Sequence, residues 1–263
     1  MKKVLYKFLK KQSEAFNIYD FGNHVLKDKY MMDGLKSTEF EKQKGTTRTE
    51  IINKLIEYLN RPITYLEIGV RNPNSNFNFI QAEKKYGVDP GLEYEQNPVD
   101  FKMTSDDFFK RFKKGEIKES INEFDIIFID GLHFAEQVDR DISNALSVTK
   151  DDGFIVLHDC NPPTQWHARE EFDFQYSPAR EYWNGTTWKA FVKCRSNTSL
   201  NSCCIDSDYG VGILSKNQLI GEAIPNQNEF FEYAVLEKNR KSHLNLISYE
   251  EFLNILKKLK KKT

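Results

Sequence analysis

Two unbroken apolar runs that each end at an acid and a histidine dominate the hydrophobic pattern. The first is Phe124-Asp-Ile-Ile-Phe-Ile-Asp-Gly-Leu-His133; the second is Gly153-Phe-Ile-Val-Leu-His-Asp-Cys-Asn-Pro162. A continuously apolar strand belongs in a sheet covered on both faces, as in parallel α/β folds. Between the runs, 135–148 carries a helical pattern. If the two strands are parallel, Asp130, His133, His158 and Asp159 emerge together at the carboxyl edge of one sheet. That is the edge where open α/β sheets bind ligands.

The rest of the pattern extends this unit. Residues 1–60 read as mostly helical. The clearest helix starts at Thr47, with Glu50 completing a capping box; Ile51, Ile52, Leu55, Ile56 and Leu59 form its apolar face, and Arg61-Pro62 ends it. A strand is predicted over 63–70, a short helix near 77–85, a second strand over 86–89 stopped by Pro90-Gly91, and a weak third around 99–103. A helix over 106–112 leads into the strand–helix–strand unit. This alternation predicts a doubly wound, mostly parallel α/β sheet. After Pro162-Pro163 the pattern changes. Residues 164–185 are rich in aromatics without a period, a helix is predicted from Thr187 to Arg195, and 202–205 with 209–214 read as an antiparallel pair finishing the sheet. A basic amphipathic helix, 249–261, closes the chain. Three parts are expected: an N-terminal helical extension (1–60), the α/β domain (61–220) and a helical tail (221–263).

Composition narrows the partners. Apolar residues make up 39% of the 263, including 20 Phe and 12 Tyr, enough for a sizeable core. The 38 Lys and Arg nearly cancel the 39 Asp and Glu, so a net charge of −1 gives no drive toward nucleic acid. Cys160, Cys194, Cys203 and Cys204 lack zinc-like spacing, and a reduced, cytoplasmic chain is the simplest reading. No apolar run approaches the roughly 18–20 residues of a membrane span. Lysines crowd both ends: Lys2, Lys3, Lys7, Lys10 and Lys11, then Lys257, Lys258, Lys260, Lys261 and Lys262. Val4/Phe8 and Leu5/Leu9 have helical spacing. Docking of these four on the protein's own core is favoured over a weak peripheral contact with an anionic membrane.

The first two strand ends suggest a cofactor. Glu67-Ile-Gly69 ends the first, and glycine there lets a ligand approach the backbone. Asp89 ends the second, 20 residues after Gly69, where a carboxylate accepts from both hydroxyls of an adenosine ribose. Beyond Gly69 the turn runs Val70-Arg-Asn-Pro-Asn74, without the further glycines a pyrophosphate needs. S-adenosylmethionine has no phosphate, so this absence favours it over NAD. The bland alternative is that Gly69 and Asp89 merely end strands.

Five motifs in order carry a resemblance: Leu66-Glu-Ile-Gly-Val70, Gly87-Val-Asp-Pro90, Thr104-Ser-Asp-Asp107, Phe128-Ile-Asp-Gly-Leu-His133 and Ile155-Val-Leu-His-Asp159. Each is weak alone. Together, over about residues 60–215, they resemble class I S-adenosylmethionine-dependent methyltransferases, nearest to the metal-dependent O-methyltransferases that include the catechol and macrolide-sugar enzymes. The resemblance implies a Rossmann-like methyltransferase fold with an antiparallel final strand. It implies that Glu67, Gly69, Val70 and Arg71 line the cofactor, that Asp89 holds the ribose and that Ser105 and Asp106 contact adenine. It implies further that Asp130 borders the cofactor and, with Asp159, binds a divalent metal, Mg²⁺ or Mn²⁺. His133 stands where the family places its general base. Two departures bear on the metal shell: sugar-modifying relatives tend to carry an acid at His158, and the catechol branch has Asn at Cys160. His158 is therefore either a third ligand or a hydrogen-bonding neighbour.

The chemistry is consistent with this reading. Two carboxylates suit Mg²⁺, which lowers a bound hydroxyl's pKa and aligns it. An unperturbed imidazole titrates near pH 6.5 and can take the released proton. On its own, a histidine after a strand is an ordinary loop residue; the offset of three from Asp130 favours a catalytic role. Trp166, Phe172, Phe174, Tyr176, Tyr182, Trp183 and Trp188 either wall an acceptor pocket or form a satellite core. Arg169 and Arg180 could meet an anionic acceptor. The expected function is methyl transfer to a hydroxyl of a small acceptor, by resemblance a sugar or glycan, from a chain able to form a homo-oligomer. The rivals are a non-catalytic binding module on the same fold and a metal-dependent oxidative enzyme.

Overall fold

The computed structural model describes residues 2–9, 13–94, 96–117, 121–173, 176–225 and 228–261. Four helices come first: α1 (Lys2–Leu9), α2 (Glu14–Val25), α3 (Lys29–Lys42) and α4 (Arg48–Leu59). The α/β body follows as β1 (Thr64–Ile68), β2 (Lys84–Val88), α5 (Ser105–Lys113), β3 (Phe124–Ile129), α6 (Ala135–Leu146), β4 (Thr149–Leu157), α7 (Thr187–Arg195), β5 (Asn201–Ile205), β6 (Val211–Ser215), α8 (Tyr233–His243), β7 (Leu246–Ile247) and α9 (Tyr249–Lys260).

The sheet order is β2-β1-β3-β4-β6-β5-β7. Strands β2, β1, β3 and β4 are mutually parallel, β6 runs antiparallel to both β4 and β5, and β7 is parallel to β5. This is the doubly wound, Rossmann-like methyltransferase arrangement with one reversed strand. The continuous apolar runs have the expected cause. Ile127, Ile129, Ile155 and Leu157 point into a core under α5, α6 and α7. Their neighbours Ile126, Phe128, Phe154 and Val156 point into a second core with Ile51, Ile52 and Leu55 of α4 and Phe252 and Leu256 of α9. A strand buried on both faces has no place for alternating polar residues.

Several local expectations change. Residues 73–79 hold two single 3-10 turns in place of the helix expected near 77–85, because β2 already begins at Lys84. The third strand reduces to one bridge, Val88 with Phe101. Helix α8 lies in the tail expected to be helical, whereas strand β7 was not foreseen; β7 is only two residues long, too short to give a period. The α4 capping box is present, with Thr47 N–H donating to Glu50 Oε2 at 2.8 Å, and the helix ends at Asn60 in the left-handed region (φ 48°). Val4 and Leu5 do not dock on the core: both are exposed. The side chains of Phe8 and Leu9 lie outside those described.

Candidate active site

The parallel register sets the site. Val88 pairs with Ile68, Ile68 with Ile129, and Ile129 with Leu157. The next residues on these strands therefore form a row along the carboxyl edge: Asp89, Gly69, Asp130 and His158. Backbone bonds stitch the row together. Gly69 N–H donates to Val88 O at 2.9 Å, Asp130 N–H to Ile68 O at 2.9 Å, and His158 N–H to Ile129 O at 3.2 Å.

Gly69 is required for a reason other than the one its sequence suggests. Its φ is +86°, and a Cβ there would lie 2.3 Å from the Asp130 carbonyl oxygen. The glycine lets two strand exits touch. Next to it, Val70 is buried and Arg71 sits in the left-handed region (φ 46°), its exposed side chain paired with Glu93 at 2.9 Å. The Asp89 carboxylate folds back into this turn, accepting from Arg71 N–H at 2.8 Å and Gly91 N–H at 2.6 Å. One backbone donor per oxygen leaves lone pairs free on both. Glu67 is buried, and its Oε2 accepts from Tyr65 Oη at 2.6 Å and Asn76 Nδ2 at 2.8 Å. Burial outweighs these bonds and pushes its carboxyl up to about 8. Ser105 and Asp106 open α5, where Gln137 Nε2 donates to both, at 3.2 and 3.4 Å.

Asp130, His133 and Asp159 converge. His133 Nε2 is 3.5 Å from Asp130 Oδ1, and His133 Nδ1 is 3.3 Å from Asp159 Oδ2. One donor atom from each of the three lies within 4.8 Å of the others. Asp159 occupies the left-handed region (φ 61°), an uncommon conformation for a residue with a side chain. His158 Nδ1 stands 3.2 Å from both Asp130 and Asp159, while its Nε2 turns toward Arg48 Nη1 at 3.1 Å and Asp208 Oδ1 at 3.3 Å. Both imidazoles thus stand against the two carboxylates, His133 through both ring nitrogens and His158 through Nδ1 alone.

Charge is balanced around this cluster. Burial alone lowers the His133 imidazole, but Asp159 and Asp130 overrule it and hold it up at about 9. Burial likewise lowers His158, and the same two carboxylates raise it well above the ordinary histidine range. Burial raises Asp130, yet His158, His133 and Arg48 hold it far below the usual carboxylate range. Asp208 is depressed in the same way by His158 and Arg48. Three carboxylates face two imidazolium rings and a guanidinium. The unperturbed imidazole expected at His133 is therefore replaced by one that keeps its proton at neutral pH.

Arg48 and Asp208 were missed by sequence reasoning. Arg48 follows a helix cap, and Asp208 sits in the β5–β6 turn; neither spacing points to the Asp130 motif. Asp208, Tyr209 and Gly210 all have positive φ. Gly210 presses on the exit of β4, where Cys160 and Asn161 N–H donate to Gly210 and Tyr209 carbonyls, both at 2.9 Å. That packing delivers Asp208 to His158.

The aromatics divide. Trp183 lies against His133 with centroids 5.2 Å apart, and its carbonyl accepts from His133 Nδ1 at 2.9 Å; Phe134 and Phe172 pack on the same indole. Tyr182 stacks on Tyr209, and Trp166 meets Tyr30 of α3. Trp188 is core and Tyr176 is exposed; Phe174 lies outside the described residues. Arg169 donates to the Trp166 and Tyr182 carbonyls, while Arg180 is exposed near Glu39. His167 is buried, His24 is exposed, and Cys203 and Cys204 are core. A groove of about 600 Å³, lined by Arg195, Asn201, Gly221, Lys241 and Asn245 among others, lies beside β5 and β7 and shares no residue with this site.

Residues 66–160, which span Glu67 to Asp159, match the family described as a methyltransferase domain. Over these residues the chain carries a methyltransferase domain. The match covers four of the strands and the whole row of strand ends, and it bears out the methyltransferase class expected from the five motifs. No curated protein sequence matches. Among solved structures, the methyltransferase resembles MycE of the mycinamycin biosynthetic pathway, solved with Mg, SAH and mycinamycin VI (15% identity, 69% of this chain and 50% of that one, TM-score 0.40). It also resembles an O-methyltransferase from Bacillus cereus solved with SAH (12%, 72% and 91%, 0.41) and the SAH-bound Podospora anserina methyltransferase PaMTH1 (13%, 78% and 97%, 0.40). The chain spans half the length of MycE. Among the described residues, no helix is long and apolar enough to cross a membrane.

Proposed function

We propose that this methyltransferase moves the methyl group of S-adenosylmethionine to a hydroxyl of a small acceptor, carbohydrate in character, at the Asp130–His133–Asp159 cluster. The observation that carries the reading is the convergence of those three side chains beside the Gly69 turn. For the cofactor, the free lone pairs of Asp89 fit a ribose diol. Glu67 at about 8 presents a largely neutral carboxyl, which does not oppose a neighbouring methionine carboxylate. Ser105 and Asp106 would meet the adenine.

The donor set of two carboxylates and an imidazole fits Mg²⁺ or Mn²⁺. Asp130 and Asp159, with His158 as third ligand or hydrogen-bonding neighbour, would hold the ion, which would supply a Lewis acid that lowers the pKa of an acceptor hydroxyl. The chain's own residues do the rest. Trp183 fixes the His133 ring through its carbonyl and its indole face. Arg48 and His158 balance the carboxylate charge, and Asp208 holds Arg48 in place. His133 receives the hydroxyl proton once its neighbouring carboxylates are otherwise engaged. Beside Trp183, the Asn184 Oδ1, His167 Nε2 and Tyr209 Oη atoms are buried without a protein partner. Such atoms are costly unless they meet hydroxyls or water, which supports a hydroxyl-rich acceptor.

One observation favours a second reading. Arg48 already neutralises the cluster, so the network could be structural and the fold a binding module. Thermal shifts with S-adenosylhomocysteine, NAD and NADP, each with Mg²⁺, Mn²⁺ or chelator, separate the two, followed by labelled methyl transfer to a panel of sugars. Stabilisation by S-adenosylhomocysteine and metal together supports the enzyme. A shift with NAD alone, or none with any adenosine cofactor, sinks it.

A further inference from the structure

We propose that the outer face of α1 and α2 is a docking surface for an anionic lipid bilayer. Nineteen large apolar side chains are exposed among the described residues, and ten of them fall within the first 40 positions. On α1, Val4 and Leu5 are 72% and 60% exposed; on α2, Ile18 and Phe21 are 67% and 71% exposed, one turn apart on one side of the helix. Scattered exposed apolar residues need no explanation, but a cluster of this kind marks an interaction surface.

The two helices are held to each other. Tyr6 of α1 packs edge-on against the buried Phe16 of α2 at 5.2 Å. The next helix, α3, is bound to the aromatic loop: Thr38 Oγ1 donates to Pro178 O at 2.8 Å, and Gly34 lies so close to Trp166 and Pro178 that a Cβ would be 2.5 and 2.9 Å from them. The Tyr6–Phe16 side of the pair is thus occupied by the protein itself, and Val4, Leu5, Ile18 and Phe21 stay uncovered.

Charge decides the occupant. Lys2, Lys3 and Lys7 share α1 with Val4 and Leu5, and α1 contains no acid. A second copy meeting the same patch across a two-fold axis would bring these lysines onto their own images. An anionic bilayer satisfies both features: the apolar groups sink below the headgroups while the lysines stay among the phosphates. Tyr6 and Tyr19, also exposed, suit the same interface.

Flotation of the full-length protein with vesicles tests this. The protein should float with phosphatidylcholine vesicles that contain phosphatidylglycerol and not with phosphatidylcholine alone, and salt should weaken the binding. The triple change Val4→Ser, Leu5→Ser and Phe21→Ser should abolish flotation while leaving the melting temperature unchanged. Lys3→Gln, which removes no apolar contact, should lower the partition coefficient about fivefold. The proposal fails if the protein floats equally with neutral vesicles, if neither set of variants changes binding, or if light scattering without lipid shows a dimer that the triple change splits.

Discussion

Arg48 joins the N-terminal helices to the far side of the sheet through one residue, Asp208. Its Nη1 donates to Asp208 Oδ2 at 3.2 Å, and its backbone N–H donates to the same oxygen at 2.8 Å. The guanidinium also reaches His158 at 3.1 Å and stands 3.7 Å from Asp130. The first residue of α4 thus helps set the charge of a cluster more than eighty residues away in sequence.

This pairing should be visible in a double-mutant cycle. Losing one partner of a buried ion pair costs about 3–5 kcal/mol. Arg48 keeps about a fifth of its side chain exposed, so Arg48→Ala should cost about 2 kcal/mol in urea unfolding. Asp208→Ala should cost a similar amount. Because the two share a contact, the double variant should fall short of the sum by at least about 1 kcal/mol. Strict additivity would show that the pair is not coupled.

Asp130→Asn and His133→Ala should each lower methyl transfer by about 100-fold or more with unchanged far-UV circular dichroism. Asp159→Asn should remove the thermal stabilisation that Mn²⁺ gives the unaltered protein. Full activity of the first two variants in excess chelator would dismiss the cluster as the reacting centre.

Glu67 predicts a pH dependence of stability. Its folded-state pKa, about 8, lies above the ordinary 4.5. The folded form therefore prefers the protonated carboxyl. The stability it contributes is complete below pH 4.5 and is lost as pH rises to about 8. Glu67→Gln retains an acceptor for Tyr65 and Asn76 without the titration. The variant should match the unaltered protein near pH 4.5 and unfold at higher urea at pH 9. A constant difference across that range would contradict the buried-acid reading.

Gly69→Ala should damage the site more than its size suggests. The positive φ costs about 1–2 kcal/mol for a residue with a side chain, and the added Cβ meets the Asp130 carbonyl at 2.3 Å. Strand exits β1 and β3 must then part, which moves Asp130. Unfolding in urea should show a loss of about 2 kcal/mol or more, and S-adenosylhomocysteine affinity should fall with it. Unchanged affinity would mean that the row of strand ends tolerates separation.

The parts legible in sequence share a physical basis. The runs around Ile126–Ile129 and Phe154–Leu157 are apolar because both sheet faces are covered, so the parallel sheet could be inferred before any coordinates. Asp130, His133, His158 and Asp159 follow from it, since each stands just past the end of such a run. The Thr47–Glu50 cap is local and was equally readable. The turns at 73–79 and the two-residue β7 were not, because segments of two or three residues carry no period. Tertiary pairing, not local preference, holds them.

By itself, then, the sequence determined the doubly wound sheet and which acids and histidines end its strands, because burial on two faces and strand termination are written in consecutive residues. Only the tertiary structure decided how those residues act on one another. Arg48, Asp208 and Trp183 come from three separate segments, and only packing brings them to the cluster. Asp159 and Asp130, with the Trp183 carbonyl, turn His133 from an ordinary imidazole into a charged one. The same packing left Val4 and Leu5 uncovered where helical spacing favoured a place in the core. Charge and burial depend on distance in space, which residue order does not carry.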